Sequence, residues 1–251
     1  MLKGVIKTMA GRLGYTISKT PRVREAGGKS AMGELKRLMK GVVEPVVFDV
    51  GGHHGMMVKA FRELLPDCRV YSFEPFHESF EVLKAEVAGD PRVRVFNYGL
   101  GEENGPRTFH VNAHEQTNSL LPTDGEGAVT WGEGLLTTQR TMTVEIRTLD
   151  SVMKELEVPR IDVLKLDVQG AEPLVMEGAR AACEMGNIEV LYSEIITRPT
   201  YQGQKRLDEA LMFYHELGFE LHNFYNASLT KENQLRQVDA IFVKRGRSIR
   251  S

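Results

Sequence analysis

The chain has 251 residues, of which 41% are apolar and 26% charged, and a net charge of −2. This supports one full hydrophobic core, with room for a small appendage, and excludes a disordered chain. No apolar run approaches the roughly 20 residues that span a bilayer, and the N-terminus lacks the long apolar stretch and small-residue cleavage site of a secretory signal.

The near-neutral total hides an asymmetry. Residues 1–40 hold ten Lys or Arg against two acids; the remainder holds 22 against 32. Within residues 1–20, Leu2, Val5, Ile6, Met9, Leu13 and Ile17 fit a helical stripe interspersed with Lys3, Lys7 and Arg12. A basic amphipathic helix of this kind can lie on an anionic membrane, cap the core or complete a homodimer. Gly4, Gly11 and Gly14 argue against a strong helix there. Pro21 and Gly27-Gly28 mark a linker, so 1–40 reads as a basic helical extension with a helix near Ala31–Lys40, and 41–251 as the main domain. The two cysteines, Cys68 and Cys183, have neither metal-type nor redox-type spacing. Both read as reduced and the chain as cytoplasmic, with membrane association as an option for the extension.

From Val46 the pattern alternates. Strands at Val46–Val50, Val70–Phe73 and Val93–Asn97 are separated by helices at Met56–Leu65 and His77–Ala88. Such alternation predicts a parallel sheet covered by helices on both faces. Residues 104–146 break the rhythm, with β-like pieces at Arg107–Val111 and Thr141–Ile146, and read as an insertion or lid over a site. Strand Asp162–Leu166, helix Pro173–Ala182, strand Ile188–Glu194 and helix Leu207–Leu217 follow. Glu220–Phe224 and Ala240–Val243 then suggest an antiparallel hairpin.

The first strand ends in Asp49-Val50-Gly51-Gly52-His53-His54-Gly55, and the second in Phe73-Glu74-Pro75, 25 positions after Asp49. Glycines at the turn permit positive φ and close backbone approach to a ligand. Glu74, closing its strand, can accept both hydroxyls of a ribose. A dinucleotide site prefers Gly-x-Gly-x-x-Gly, because its pyrophosphate rests on a helix N-terminus, and His53 breaks that fingerprint. A sulfonium cofactor carries no phosphate and has a positive sulfur and an ammonium group, which the acids Asp49, Glu74 and Asp167 suit. The residues therefore favour S-adenosylmethionine over a dinucleotide.

Several ordered blocks accompany that turn: Asn97-Tyr98-Gly99-Leu100-Gly101, Asn118-Ser119-Leu120, Thr148-Leu149-Asp150, Leu164-Lys165-Leu166-Asp167-Val168-Gln169-Gly170-Ala171-Glu172 and Ser193-Glu194. Together they resemble the FkbM family of S-adenosylmethionine-dependent methyltransferases over about residues 46–195. The resemblance implies a Rossmann-like α/β fold whose seven-stranded sheet has the order 3-2-1-4-5-7-6, with strand seven antiparallel. It implies O-methylation of a sugar, glycan or polyketide-type natural product, hence a small-molecule or glycan acceptor and no nucleic acid. It also departs from the family pattern: His53 stands where Asn is usual, Val58 where Ser or Thr is frequent, and Gln169 where Glu is common.

Carried over by position, Asp49, Gly51 and His53 line the methionine moiety, and Gly52 and Gly55 belong to the same cofactor-binding turn. Glu74 and Pro75 hold the ribose, Asn97 and Tyr98 lie beside the adenine, and Ser119 touches cofactor or acceptor. Asp167 and Glu194 face the methyl group and acceptor. An alcohol acceptor loses a proton, so a base within hydrogen-bond reach helps. Asp167, Glu194 and His53 are the first candidates; His54, His114 and His222 are others. Of His53 and His54, one is expected to face the site and the other solvent. No metal ligands are assigned, although Asp167, Glu194 and a lid histidine could gather an oxygen-preferring ion such as Mg2+; His110 and His114 are four apart but not in helical sequence. Trp131, Phe109, Tyr192 and Tyr201 are candidates to stack on a sugar ring. The alternatives are a methyltransferase-like binding module without catalysis and, third, a dinucleotide-dependent oxidoreductase.

Overall fold

A computed structural model describes residues 30–132 and 134–247. The amphipathic segment proposed at residues 1–20 lies outside the described residues. The principal sheet contains β1 (Val46–Val50), β2 (Arg69–Phe73), β3 (Val93–Phe96), β7 (Val163–Leu166), β8 (Val190–Ile196), β9 (Phe219–Leu229) and β10 (Leu235–Lys244). Its order is β3-β2-β1-β7-β8-β10-β9. β10 runs antiparallel to both neighbours, and the other pairs are parallel. Three strands of a separate small sheet intervene in the numbering. Counted within the principal sheet alone, the order is the expected 3-2-1-4-5-7-6, and β9–β10 form the expected hairpin.

The central strands are apolar on both sides, as strands covered by helices must be. Along β1, Phe48 and Val50 enter one core layer, while Val47 enters the other. Complete burial of a side chain such as Phe48 contributes roughly 1.5–3 kcal/mol. The first layer packs α5 (Leu149–Glu155), α6 (Glu172–Glu177) and α8 (Leu207–Glu216) on the sheet; the second packs α1 (Ala31–Leu38), α2 (Met56–Leu64) and α3 (His77–Glu86). α1 is capped by Ser30, whose Oγ accepts from Gly33 N at 3.0 Å. Two polar contacts also fix it: His222 Nε2 lies 2.7 Å from Glu34 Oε1, and Arg247 donates to Leu38 O at 2.7 Å.

Two helices packed on the principal sheet differ from expectation. The helix predicted at Pro173–Ala182 is broken into α6 and α7 (Arg180–Glu184). A Cβ at the intervening Gly178 would sit 2.0 Å from the Gly101 carbonyl oxygen, so the chain needs its smallest residue there. α5 was not anticipated. Thr148 caps it by accepting from Ser151 N at 3.2 Å, and the Asp150 carboxylate accepts from Ala181 N and Ala182 N, both at 2.9 Å, at the start of α7. The Thr148-Leu149-Asp150 block is thus a pair of helix caps.

The insertion pairs with the strand that precedes it in a three-stranded sheet of β4 (Gly99–Leu100), β6 (Thr138–Arg147) and β5 (Gly105–Asn112). Between β5 and β6 lie a short 3-10 turn, Glu115–Thr117, and α4, Gly127–Trp131. The small sheet has its own core of Phe109, Val111, Val144 and Ile146 against Phe76. Its connecting segment is fastened to the loop after β8: Asp124 N donates to Thr200 O at 2.8 Å, and Gln202 N donates to Pro122 O at 2.8 Å.

Candidate active site

β1 is flanked by β2 on one side and β7 on the other, so the direction of strand succession reverses beside it. Ligands of open α/β sheets bind at the carboxyl ends of strands at such a point. A cavity of about 420 Å³ lies there. Gly51, Gly52, His53 and His54 line it from the turn after β1, Glu74, Pro75 and Phe76 from the end of β2, and Asp167 and Gln169 from the end of β7. The insertion supplies the opposing wall through Phe109, His114, Glu115, Asn118, Trp131 and Ile146.

The turn is possible because of its glycines. Gly51 has φ +82°, and a Cβ on it would lie 1.9 Å from the Asp167 carbonyl oxygen. A Cβ on Gly52 would lie 2.2 Å from Ser72 Oγ. Most of the turn's backbone donors are engaged: Gly51 N and Gly52 N both donate to Phe73 O, at 3.0 and 3.1 Å, and Gly55 N donates to Gly52 O. His53 N donates to Glu74 Oε2 at 2.8 Å, and Phe76 N to Glu74 Oε1 at 2.9 Å. Glu74 is therefore held at the cavity wall by one backbone donor on each oxygen. Burial nevertheless pushes its pKa up to about 7, against the pull of those two N–H groups.

Asp49 and Gly55 do not line the cavity, contrary to expectation. Asp49 is fully buried behind the turn, where it accepts from Ser72 Oγ at 2.8 Å and faces Lys165 Nζ at 3.0 Å. Gly55, at φ +82°, begins α2. Lys165 is the residue that sequence inspection missed. Its Nζ donates to Gly51 O at 3.0 Å and lies 3.5 Å from Asp167 Oδ2, joining the β1 turn to the end of β7. Burial works to strip its proton, but Asp49 and Asp167 outweigh that and raise its pKa. A lysine interrupting a wholly buried strand, Val163–Leu166, was the available signal.

Asn97, Tyr98 and Ser119 also lie off the cavity surface and support it from behind. Asn97 Nδ2 donates to Glu74 O at 3.0 Å and Pro75 O at 3.2 Å, fixing the loop that carries the acid. Tyr98 packs on Phe73 and Phe96, with the Arg147 guanidinium 4.6 Å from its ring centroid. Ser119 Oγ donates to Gln169 O at 2.8 Å and accepts from Leu121 N.

Also lining the cavity, Gln169 joins the two acids assigned to the acceptor. Its Nε2 donates to Asp167 Oδ1 at 3.0 Å and Glu194 Oε2 at 2.9 Å. Gln237 Nε2 donates to the second Glu194 oxygen at 2.9 Å. Gln169 is itself in the left-handed region, at φ +56°, and its Oε1 lies 3.1 Å from the Tyr201 hydroxyl. Glu194 does not end its strand, since β8 continues to Ile196. Burial, reinforced by Asp167 and Glu172, holds Glu194 well above the usual carboxylate range. The Asp167–Glu194 gap foreseen for Mg2+ is occupied by the Gln169 amide, whose protons are donors and repel a cation; no magnesium site is supported there.

Both histidines of the turn line the cavity, which corrects the expected division between site and solvent. Their rings stack with centroids 3.8 Å apart. Burial and the neighbouring His54 lower the pKa of His53, outweighing the contrary pull of Glu115. His222 lies elsewhere, against α1. Of the aromatic candidates, Phe109 and Trp131 line the cavity, whereas the buried Tyr192 donates to Asp239 at 2.7 Å.

Several known proteins are similar to this chain. The 2-O-methyltransferase NoeI of Sinorhizobium fredii is 26% identical over 204 residues, covering 76% of this chain and 82% of that protein. Methyltransferase 1 of Beauveria bassiana is 24% identical over 145 residues, covering 53% and 57% respectively. Among solved structures, the precorrin-6y C5,15-methyltransferase of Geobacter metallireducens superposes with a TM-score of 0.46 at 11% identity, covering 86% of this chain and 87% of that one. The methyltransferase FkbM domain matches residues 49–221, well over half of the chain. The chain belongs to the FkbM family of S-adenosylmethionine-dependent methyltransferases.

Proposed function

We propose that this protein methylates a hydroxyl of a sugar, glycan or polyketide-type natural product. The observation that carries the reading is the set of acids on one cavity wall: Glu74 after β2, and Asp167 and Glu194 bridged by Gln169. The cavity falls within the roughly 300–1,000 Å³ of small-molecule sites. Its walls fit the cofactor: Glu74 retains free lone pairs for ribose hydroxyls, and Pro75, Leu100 and Ile146 offer an apolar sleeve. The donors of Gly51, Gly52, His53 and Gly55 are spent inside the fold, so the turn makes a poor cradle for a pyrophosphate. This weighs against the dinucleotide alternative. The name of the Sinorhizobium relative supports oxygen as the accepting atom.

When bound, S-adenosylmethionine supplies an electrophilic methyl group on a positive sulfur. The chain's task is then alignment and proton removal. Asp167, with its side chain 41% exposed and buttressed by Lys165, orients the acceptor hydroxyl. Glu194, whose basicity is raised by burial, takes up the proton, and Gln169 holds the two carboxylates apart. Trp131 and Phe109 offer flat surfaces to a sugar ring. We include in this reading a small-molecule or glycan partner, and the use of residues 1–20 for peripheral membrane contact or a homodimer.

Calorimetry with S-adenosylhomocysteine, followed by radiolabelled methyl transfer to nucleotide sugars, glycans and natural products, tests it. The expected result is cofactor binding in wild type, Asp167→Asn and Glu194→Gln alike, with turnover falling at least about a hundredfold in Glu194→Gln, the loss typical of a general base. Absence of cofactor binding overturns the proposal. Tight binding with no turnover on any acceptor favours the non-catalytic alternative.

A further inference from the structure

The turn after β1 and the insertion meet through three metal-competent side chains that the methyl-transfer reading does not use. His53 Nε2 and His54 Nε2 each lie 3.3 Å from the same atom, Glu115 Oε1. Ligand atoms of the three residues all fall within 4.8 Å of one another. Tetrahedral coordination with bonds of about 2.0–2.1 Å requires ligand–ligand separations of about 3.3 Å. His53 Nε2 is buried and lacks a hydrogen-bond partner, its contact with Glu115 being close but poorly aligned. His53 also has φ +45°, a conformation that costs a non-glycine residue free energy.

We propose that His53, His54 and Glu115 bind a divalent transition-series cation of the zinc class, clamping the glycine turn to the insertion at the cavity wall. Two neutral imidazoles and one carboxylate suit Zn2+ or Co2+, whereas Mg2+ demands an oxygen shell. The stacked rings are inclined at only 22°, so one must rotate to direct its lone pair at a shared ion. His54 has that freedom, with a side chain 37% exposed. The three ligands leave one tetrahedral position to water. Glu115 belongs to the segment between β5 and β6, so the ion would join parts of the chain that share no backbone hydrogen-bond ladder.

The test uses the full chain without a histidine tag, stripped with chelator and titrated with Zn2+, Co2+ or Mg2+ alone. Calorimetry should show one Zn2+ site, Co2+ should develop the ligand-field absorption of a four-coordinate site, and Mg2+ should give no heat. His54→Ala and Glu115→Gln should each weaken Zn2+ at least tenfold. His215→Ala, on the distant α8, should not. Circular dichroism of the metal-free variants separates loss of the site from loss of fold, since His54 and Glu115 are substantially exposed. The proposal is overturned if wild type binds neither Zn2+ nor Co2+ below millimolar concentration, or if folded His54→Ala and Glu115→Gln bind as tightly as wild type. Neither result depends on cofactor binding or turnover.

Discussion

Replacing Lys165 with Met should be among the most damaging single changes to this protein. The substitution keeps most of the unbranched side chain and removes its terminal charge. Asp49 Oδ1 lies 3.0 Å from Nζ and Asp167 Oδ2 lies 3.5 Å away. At an effective dielectric of 20 those separations correspond to attractions of about 5.5 and 4.7 kcal/mol. Desolvation of the two fully buried partners consumes most of that, so the intact pair contributes little net stability. Its disruption is different, because Asp49 would be left fully buried with Ser72 as its side-chain donor. Breaking a buried pair from one side costs about 3–5 kcal/mol. Urea unfolding of wild type, Lys165→Met, Asp49→Asn and the double variant measures this. The double variant should recover about half or more of the loss. A loss under 1 kcal/mol, or additive behaviour across the cycle, would refute the reasoning.

Three further outcomes follow from the geometry. Gly51→Ala combines positive φ, costing about 1–3 kcal/mol, with a collision at the Asp167 carbonyl; thermal melting should fall sharply, and S-adenosylhomocysteine binding with it. On the proposed reading Glu74 must be ionised to accept from both ribose hydroxyls, and burial pushes its pKa up to about 7. Affinity for S-adenosylhomocysteine should therefore fall by up to tenfold per pH unit below 7, and Glu74→Gln should bind weakly but with a flattened profile on calorimetry. Asp150→Ala removes the carboxylate that receives both Ala181 N and Ala182 N, and should destabilise the fold by about 1–2 kcal/mol in urea without altering cofactor affinity.

Legibility from sequence followed the range of the interactions involved. β1 falls where its apolar run places it, and the start of α2 after Gly55 is marked by a glycine that must adopt positive φ. The cavity's position followed from strand-end acids and turn glycines. What escaped inspection depended on contacts between distant segments. Asp49 looked like a ligand contact because it ends an apolar strand, yet its partner, Lys165, lies 116 positions away. His53 and His54 were expected to divide between site and solvent, yet their rings stack and both line the cavity. Glu115 lies in polar sequence with no periodicity, and nothing local announces that it meets the turn. Gln169 was visible only as a departure from the family pattern; its bridging of two acids required β7 and β8 to lie side by side.

The seating of α1 bears on how the protein is made. This helix emerges from the ribosome before any strand of the sheet, yet its polar fastenings are His222 on β9 and Arg247 beyond β10. Its apolar face also rests in a layer completed by Val190, Tyr192 and Ile241, all late in the chain. During synthesis α1 therefore waits, incompletely covered, until the last hairpin arrives. Nascent chains truncated before β9 should carry an exposed apolar helix for chaperones to hold, and commitment of the full domain should coincide with release of its final strands.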